Sequence, residues 1–375
     1  MSLIGNAVRS LRASAGRLAV IAVSLVLASS NAYAAAPGIT VQSNQVITTT
    51  AGTLGVQAVG AGVPVVLRGV NFSGPEYACL QQSSFWDNPQ GNQATIDAML
   101  TWHANVVRLP LNEDCWLGIN GAPPAYSGAN YINAMATFVN LANTSGLIVE
   151  VDLHWGAGGS GLPTNDNYPA LDADHAAAFW QSVASKFTNN QSVVFDLVNE
   201  PHITSWSCYR DGGCRTPKVG KLGAWTVVGT QSVVNTIRAT GAKNPIIVAG
   251  LDYSNDLSQW LSFAPSDSAH AIIAGVHIYF DGLTCEGGTC WTNTFGSIQN
   301  AGCPVIVDEF GEFDCKHTKI ENLMNWADAR VPQVGYWAWA WTIAGCASGP
   351  SLITNATGNP TAYGVGFKNR LLSIQ

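Results

Sequence analysis

The stretch Val193-Val194-Phe195-Asp196-Leu197-Val198-Asn199-Glu200-Pro201 decides the fold. Apolar residues carry a strand, an amide and a carboxylate arrive at its C-terminal end, and proline stops it. A carboxylate at the end of a buried strand is costly to hold unless a site uses it. A second segment repeats the form: Pro304-Val305-Ile306-Val307-Asp308-Glu309-Phe310-Gly311. Two apolar strands, each delivering a Glu at the C-terminal end, point to a parallel α/β protein with a two-carboxylate site at one rim.

Working outward, similar apolar runs recur with helical stretches between them. The predicted strands are Val65–Asn71, Asn105–Leu109, Leu147–Leu153, Val193–Val198, Ile246–Gly250, Ile272–Tyr279, Val305–Glu309 and Gly335–Trp341. The intervening periodicity predicts helices at Gln93–His103, Asp172–Phe187, Trp225–Thr240 and Lys316–Ala329. Asp172 and Asp174 sit where an N-cap and a first-turn charge would help, and Gly146 and Gly241 where a left-handed C-cap wants glycine. About eight β–α alternations indicate the α/β class, as a single (β/α)8 (TIM) barrel. Ahead of the first barrel strand, Ile39 to Thr48 reads as a short hairpin turning at Ser43-Asn44 that plugs or flanks the barrel base. A doubly wound sheet is the alternative, but no Gly-rich phosphate loop follows the first strand.

The N-terminus carries Arg9, Arg12 and Arg17, then the apolar run Leu18–Leu27, then Ala32-Tyr33-Ala34. That is the order of a secretory signal peptide over residues 1–34, leaving one catalytic domain over 35–375. The apolar run is too short to span a membrane, which takes roughly twenty residues. Removing the signal leaves 14 basic against 24 acidic side chains, a balance of −10. With no basic run and only 11% charged residues, nucleic acid is excluded as a partner and a neutral substrate is favoured.

Nine cysteines fit an oxidising compartment. Cys208 with Cys214, and Cys285 with Cys290, are close enough in sequence to pair. Cys79, Cys115, Cys315 and Cys346 lie just past predicted strands on one rim, which suggests Cys79–Cys115 and Cys315–Cys346. Cys303, at the start of an apolar strand, is then expected to be buried and free.

Reading the strand ends in order gives Asn71, Arg108, His154, Asn199-Glu200, His277 and Tyr279, Glu309, then Trp337, Trp339 and Trp341. A barrel enzyme places its chemistry at these ends, and the reaction that most often wants two such carboxylates is glycoside hydrolysis. Arg108 lies inside an apolar strand and needs an anionic partner, for which Glu309 is expected; the pair would hold the pKa of Glu309 low. His277 and Tyr279 share a face, being two apart. Asn199 and Glu200 would face opposite ways on a regular strand, and Pro201 is expected to turn the chain so that both reach the pocket. Trp86, Trp116, Trp155, Trp206 and Trp291, in rim loops, are candidate sugar platforms.

The sequence resembles the family 5 glycoside hydrolases, the group of secreted cellulases and mannanases. The matching residues are Arg108 in Val-Val-Arg-Leu-Pro, His154 in Asp-Leu-His, Asn199-Glu200-Pro201, His277-Ile278-Tyr279, Glu309-Phe310-Gly311 and Trp339. The resemblance implies that Glu200 is the acid/base and Glu309 the nucleophile of a retaining mechanism. It implies that Asn199 bonds the sugar 2-hydroxyl, Tyr279 contacts the nucleophile and His277 supports the acid/base. It also selects Trp339 as the sugar platform, with Trp341 the alternative and Trp337 core packing. The loop Trp155-Gly156-Ala157-Gly158-Gly159 departs from many cellulases and leaves the substrate open, not the chemistry. The expectation is a secreted, monomeric endo-β-1,4-glucanase acting on β-linked oligo- or polysaccharide without metal or other cofactor. A mannanase or an exo-acting β-glycosidase of the same fold is the alternative. A non-catalytic sugar-binding barrel would usually have lost one carboxylate, and a lipase-type hydrolase lacks its Gly-x-Ser-x-Gly elbow here.

Overall fold

In the computed structural model, residues 35–159, 161–163, 168–347 and 349–374 are described; the expected signal peptide lies outside them. Eight parallel strands close into a barrel: β1 (Arg68–Asn71), β2 (Val106–Asn112), β3 (Ile148–Trp155), β4 (Val193–Asp196), β5 (Ile246–Ala249), β6 (Ile272–Ile278), β7 (Val305–Phe310) and β8 (Gly335–Ala338). Each pairs with the next in sequence, and β8 closes on β1. This is the predicted (β/α)8 barrel. Strands buried on both faces need apolar residues on the helix side and tolerate polar ones only inside, where they can be paired. On β3, Val149, Val151 and Leu153 join the large apolar cluster with the helices, while Ile148, Glu150, Asp152 and His154 alternate with them.

The base of the barrel is a dry layer. Leu67, Val106, Ile148, Val194, Ile247, Ile273, Ile306 and Trp337, one from the start of each strand, pack with Ile39 and Val46. Ile39–Gln42 and Gln45–Thr48 are the expected antiparallel hairpin with Ser43 at its turn. Its contacts cap the base, and Trp337 is core, as expected. Pro64–Val65 adds a third strand to this hairpin, so the predicted first barrel strand begins at Arg68 and not at Val65. A second small hairpin, Gly52–Leu54 with Gln57–Val59, was not foreseen.

Helix boundaries shift in instructive ways. The helix predicted from Asp172 runs only over Ala176–Phe187, because Asp172 Oδ1 accepts the amides of Asp174 (2.9 Å) and His175 (2.6 Å) in a turn ahead of it. The segment from Trp225 first forms a short strand, Thr226–Val228, and becomes helix at Thr230–Ala239. The other two cover Gln93–Leu100 and Thr318–Ala329. Gly146 and Gly241 take the left-handed conformation (φ 95° and 88°) that a helix stop needs.

All four expected disulfides are present: Cys79–Cys115, Cys208–Cys214, Cys285–Cys290 and Cys315–Cys346. Such bonds persist in an oxidising compartment. Cys303 is free but only half-buried, and burial pushes its thiol up to about 12.

Candidate active site

The functional side chains sit at the C-terminal ends of the strands because that rim is where interior positions stop being apolar. At β7 the pairing with β6 shifts register between Val276 and His277, so that Val276 faces Val307 and His277 faces Glu309. A bulge of this kind re-aims a side chain. It lets two consecutive acids, Asp308 and Glu309, both turn into the barrel. Gly275 opposite has to be glycine, since a Cβ there would lie 2.5 Å from Ile247 and 2.8 Å from Asp308 Oδ2.

Arg108, fully buried, is the hub. It bonds Glu309, as expected, but it also meets Glu150 (Nε to Oε1, 2.6 Å), Asp152 (Nη2 to Oδ2, 3.1 Å) and Asp196 (Nη2 to Oδ2, 2.9 Å). It further donates to Asn71 Oδ1 (3.1 Å) and Asn199 Oδ1 (2.9 Å). The expectation of one anionic partner was too simple. Asp308 lies beside this group, and carboxylate oxygens of Glu150, Asp196 and Asp308 fall within 4.8 Å of one another. One guanidinium does not match so many buried acids, and burial favours their protonated forms. Burial pushes Glu150 well above the usual carboxylate range, Asp196 up to about 8 and Asp308 up to about 7.

Glu309 behaves differently. Burial pushes its carboxyl up, but His277, Arg108 and His154, with the Tyr279 hydroxyl, outweigh that and hold it below the usual range. Tyr279 donates to Glu309 Oε2 at 2.5 Å. His277 Nδ1 lies 2.9 Å from Glu200 Oε1 and 3.6 Å from Glu309 Oε2, bridging the two acids. Oxygens of Glu200 and Glu309 approach within 4.8 Å. The Glu200 side chain is 12% exposed against 3% for Glu309, so Glu200 is the one in reach of water. His154 Nδ1 bonds Asp152 at 2.8 Å, and its ring stacks on Trp339 at 5.5 Å and 15°. Burial lowers the pKa of both imidazoles, but Asp152 beside His154 and Glu309 beside His277 raise them further, so both lean to the charged form.

Asn199 and Glu200 both reach the pocket, though not for the expected reason. The strand ends at Asp196, not at Val198, and irregular backbone from Leu197 frees both side chains before Pro201. A cavity of about 500 Å³ opens here, lined by His154, Asn199, Glu200, His277, Tyr279, Glu309 and Trp339, all of them expected. Arg108 supports it from below. Trp341 does not line it; it is buried against Trp102. The rim tryptophans are mostly structural. Trp116, Trp206 and Trp291 are buried, and Trp86 stacks on Phe72. Trp155 sits half-buried beside Tyr77.

Two aspects escaped sequence reading. Tyr253 and Phe313, exposed by 43% and 55%, form parts of the cavity wall with Asp281 and Leu283. Tyr253 is held by three consecutive left-handed residues, Asp252 to Ser254, and stacks on His202; no motif announces that. The buried acids Glu150, Asp152, Asp196 and Asp308 did carry a signal, namely charged residues at inward positions of apolar strands.

A parallel (β/α)8 barrel whose rim brings two glutamates together, over an arginine and under an aromatic wall, defines a class: the barrel glycoside hydrolases. The sequence profile of the cellulase family, glycosyl hydrolase family 5, matches residues 60–345, and the chain belongs to that family. It is a glycoside hydrolase, and the family retains anomeric configuration. Endoglucanase A of Ruminococcus albus is 28% identical over 274 residues, covering 66% of this chain and 71% of that protein. In structure, the β-glucanase SdGluc5_26A of Saccharophagus degradans, solved with cellotetraose, matches with a TM-score of 0.65 at 19% identity, covering 91% and 95% of the two chains. The catalytic domain of a mannanase from Streptomyces sp. SirexAA-E matches at 0.60 and 19%, covering 90% and 91%.

Proposed function

We propose that the protein is a secreted endo-β-1,4-glucanase in which Glu309 is the nucleophile and Glu200 the acid/base. The observation that carries this reading is the pair of glutamates with oxygens within 4.8 Å at the cavity mouth. A retaining enzyme holds its carboxyls about 5–5.5 Å apart, whereas an inverting one needs roughly 6.5–9.5 Å for a water. Glu309 attacks the anomeric carbon, and its charge, kept by Arg108, His277 and Tyr279, is what attack requires. Glu200 protonates the departing oxygen, then takes a proton from the incoming water. His277 keeps Glu200 in place, Asn199 meets the 2-hydroxyl, and Trp339, backed by His154, carries the sugar's apolar face.

The glucan preference is supported by the endoglucanase of Ruminococcus albus and by the neighbour solved with cellotetraose. Secretion is supported by four disulfides, and cleavage after Ala34 by the order of Arg9, Arg12 and Arg17, the apolar run Leu18–Leu27 and Ala32-Tyr33-Ala34. The test is to secrete the full chain, sequence its N-terminus, and chromatograph products from a panel of soluble β-glucans and mannans. The expectation is Ala35 at the N-terminus and a ladder of cello-oligosaccharides. Mannan cleavage alone, or only one product size from a chain end, would overturn the substrate or the endo mode.

A further inference from the structure

A second cavity, about 490 Å³ against about 500 Å³ for the catalytic one, lies on the other side of the segment that follows β6. That segment contributes to both. Tyr279, Asp281 and Leu283 line the catalytic cavity, while Phe280 and Glu286 line the second. Phe280 takes a left-handed φ of 58°, and this turns it away from its neighbours' side. Phe280 and Trp326, both half-buried, supply the aromatic surface, with Trp291 buried behind them, its ring centre 5.7 Å from that of Trp326; Lys319 and Asn322 stand exposed at the rim, the Lys319 ammonium over the Phe280 ring.

The cavity is preformed. The Cys285–Cys290 disulfide closes its loop, and Glu286 Oε1 accepts the amides of Gly282 (2.6 Å) and Leu283 (3.0 Å). Both indole N–H groups are tied down, Trp291 to Cys285 O and Trp326 to Thr292 Oγ1, each at 3.1 Å, so the rings cannot swing to fill the space. Rigid walls lower the entropy cost of binding. The chemistry is aromatic surface edged by a carboxylate, an ammonium and an amide, whose charges cancel. An anion would meet Glu286 and a cation Lys319, whereas a neutral polyol can bond both while laying its C–H face on the rings.

Resting on the β-glycan reading above, we infer that this cavity is a second, non-catalytic carbohydrate site that holds a neutral β-linked glycan beyond the catalytic cleft. Its ligand is of the same class as the substrate, because both cavities set aromatic side chains beside polar ones and share one wall. It acts on long chains, which can be held at both places, and is idle with substrates of two sugars.

Two variants test it. Gly288→Trp puts a bulky side chain on a residue that lines the cavity, at a position where a Cβ meets nothing within 4 Å. Trp326→Ala removes part of the wall. In the Glu309→Ala background, retardation of the full-length mature protein in native gels containing soluble mixed-linkage β-glucan should weaken about three- to tenfold in both, the worth of one aromatic contact. With Glu309 intact, turnover of an aryl β-cellobioside should match the parent. Undiminished retardation of Gly288→Trp overturns the site, whatever Trp326→Ala does. Loss of aryl cellobioside turnover in Gly288→Trp also overturns it, since the effect would then lie in the catalytic cleft. A parent that is not retarded at all overturns it too. A parent that is retarded through this cavity yet hydrolyses no β-glucan leaves the site standing and removes the proposed function instead.

Discussion

The base and the mouth of the same barrel solve opposite problems with the same eight strands. At the base, apolar residues from the eight strands pack under the N-terminal hairpin. One or two inward positions further along, the interior holds Arg108, Glu150, Asp152, Asp196 and Asp308, all fully buried. The base gains stability from area removed from water. The middle layer gains little from its ion pairs, because desolvation offsets their attraction. What it supplies is position: Arg108 holds Glu309 and Asn199 together from beneath. Substitutions at the two ends should therefore separate stability from turnover.

The largest effect is expected at the mouth. Glu309→Ala should lower kcat by about 10⁴-fold or more on every substrate, as loss of a nucleophile does. Glu200→Ala should spare the first step on activated aryl glycosides, and azide should rescue it to a β-glycosyl azide. Rescue of Glu309→Ala to an α-product is compatible with these roles. Azide rescue of Glu309→Ala to a β-glycosyl azide, with Glu200→Ala not rescued, would exchange them.

Next comes the hub. Arg108→Ala strands several buried acids without a counter-charge, and breaking such a group costs about 3–5 kcal/mol. The variant should lose both stability and turnover, seen together in a urea melt and a rate assay. Loss of turnover alone would mean that the acids shed their charge by taking up protons, without Arg108 to balance it. At the base, Ile39→Ala should cost about 2–4 kcal/mol, the usual range for emptying a buried apolar site. Its kcat and KM at a temperature below the melt should equal the parent's. A changed KM would show that the base is coupled to the mouth.

The same contrast explains what sequence reading could reach. The base and the strands are legible because a doubly buried parallel strand must be a continuous apolar run, and Val193–Phe195 or Val305–Val307 can be little else. The glutamates are legible because a carboxylate ending such a run has few other reasons to be there. The register shift at His277 is not, since a bulge is a pairing event between two strands and leaves no local mark. Nor is Tyr253, whose place on the wall depends on three left-handed residues. The rim tryptophans misled because an indole fills space as well as it stacks on sugar; Trp116, Trp206 and Trp291 pack inward.

The smallest effect tests the middle layer by pH. Asp308 is fully buried, and Val276 N donates to its Oδ1 at 2.9 Å. Around it stand Glu150 and Asp196, with His277 Nε2 at 3.8 Å and Arg108 nearby. Burial and Asp196 raise its pKa to about 7, against the pull of His277 and Arg108. In the unfolded chain the group titrates near 4. Between those values the folded state holds a proton that the unfolded state has lost, so stability must fall as pH rises from about 4 through about 7. Asp196, raised to about 8, extends the fall upward. His154 and His277 add to it, because a raised imidazole stabilises fully below its unfolded pKa and stops doing so as pH climbs through the folded one. Glu309, held low, works the other way, contributing above its unfolded pKa and losing that contribution as pH falls through the folded one. The melting temperature should therefore be higher at pH 5 than at pH 8. Asp308→Asn keeps the acceptor for Val276 but does not titrate. It should melt close to the parent at pH 5 and decline less steeply toward pH 8. A parent whose melting temperature is flat or rising over that interval, or an Asp308→Asn slope equal to the parent's, would mean that the buried acids are neutralised by something other than protons.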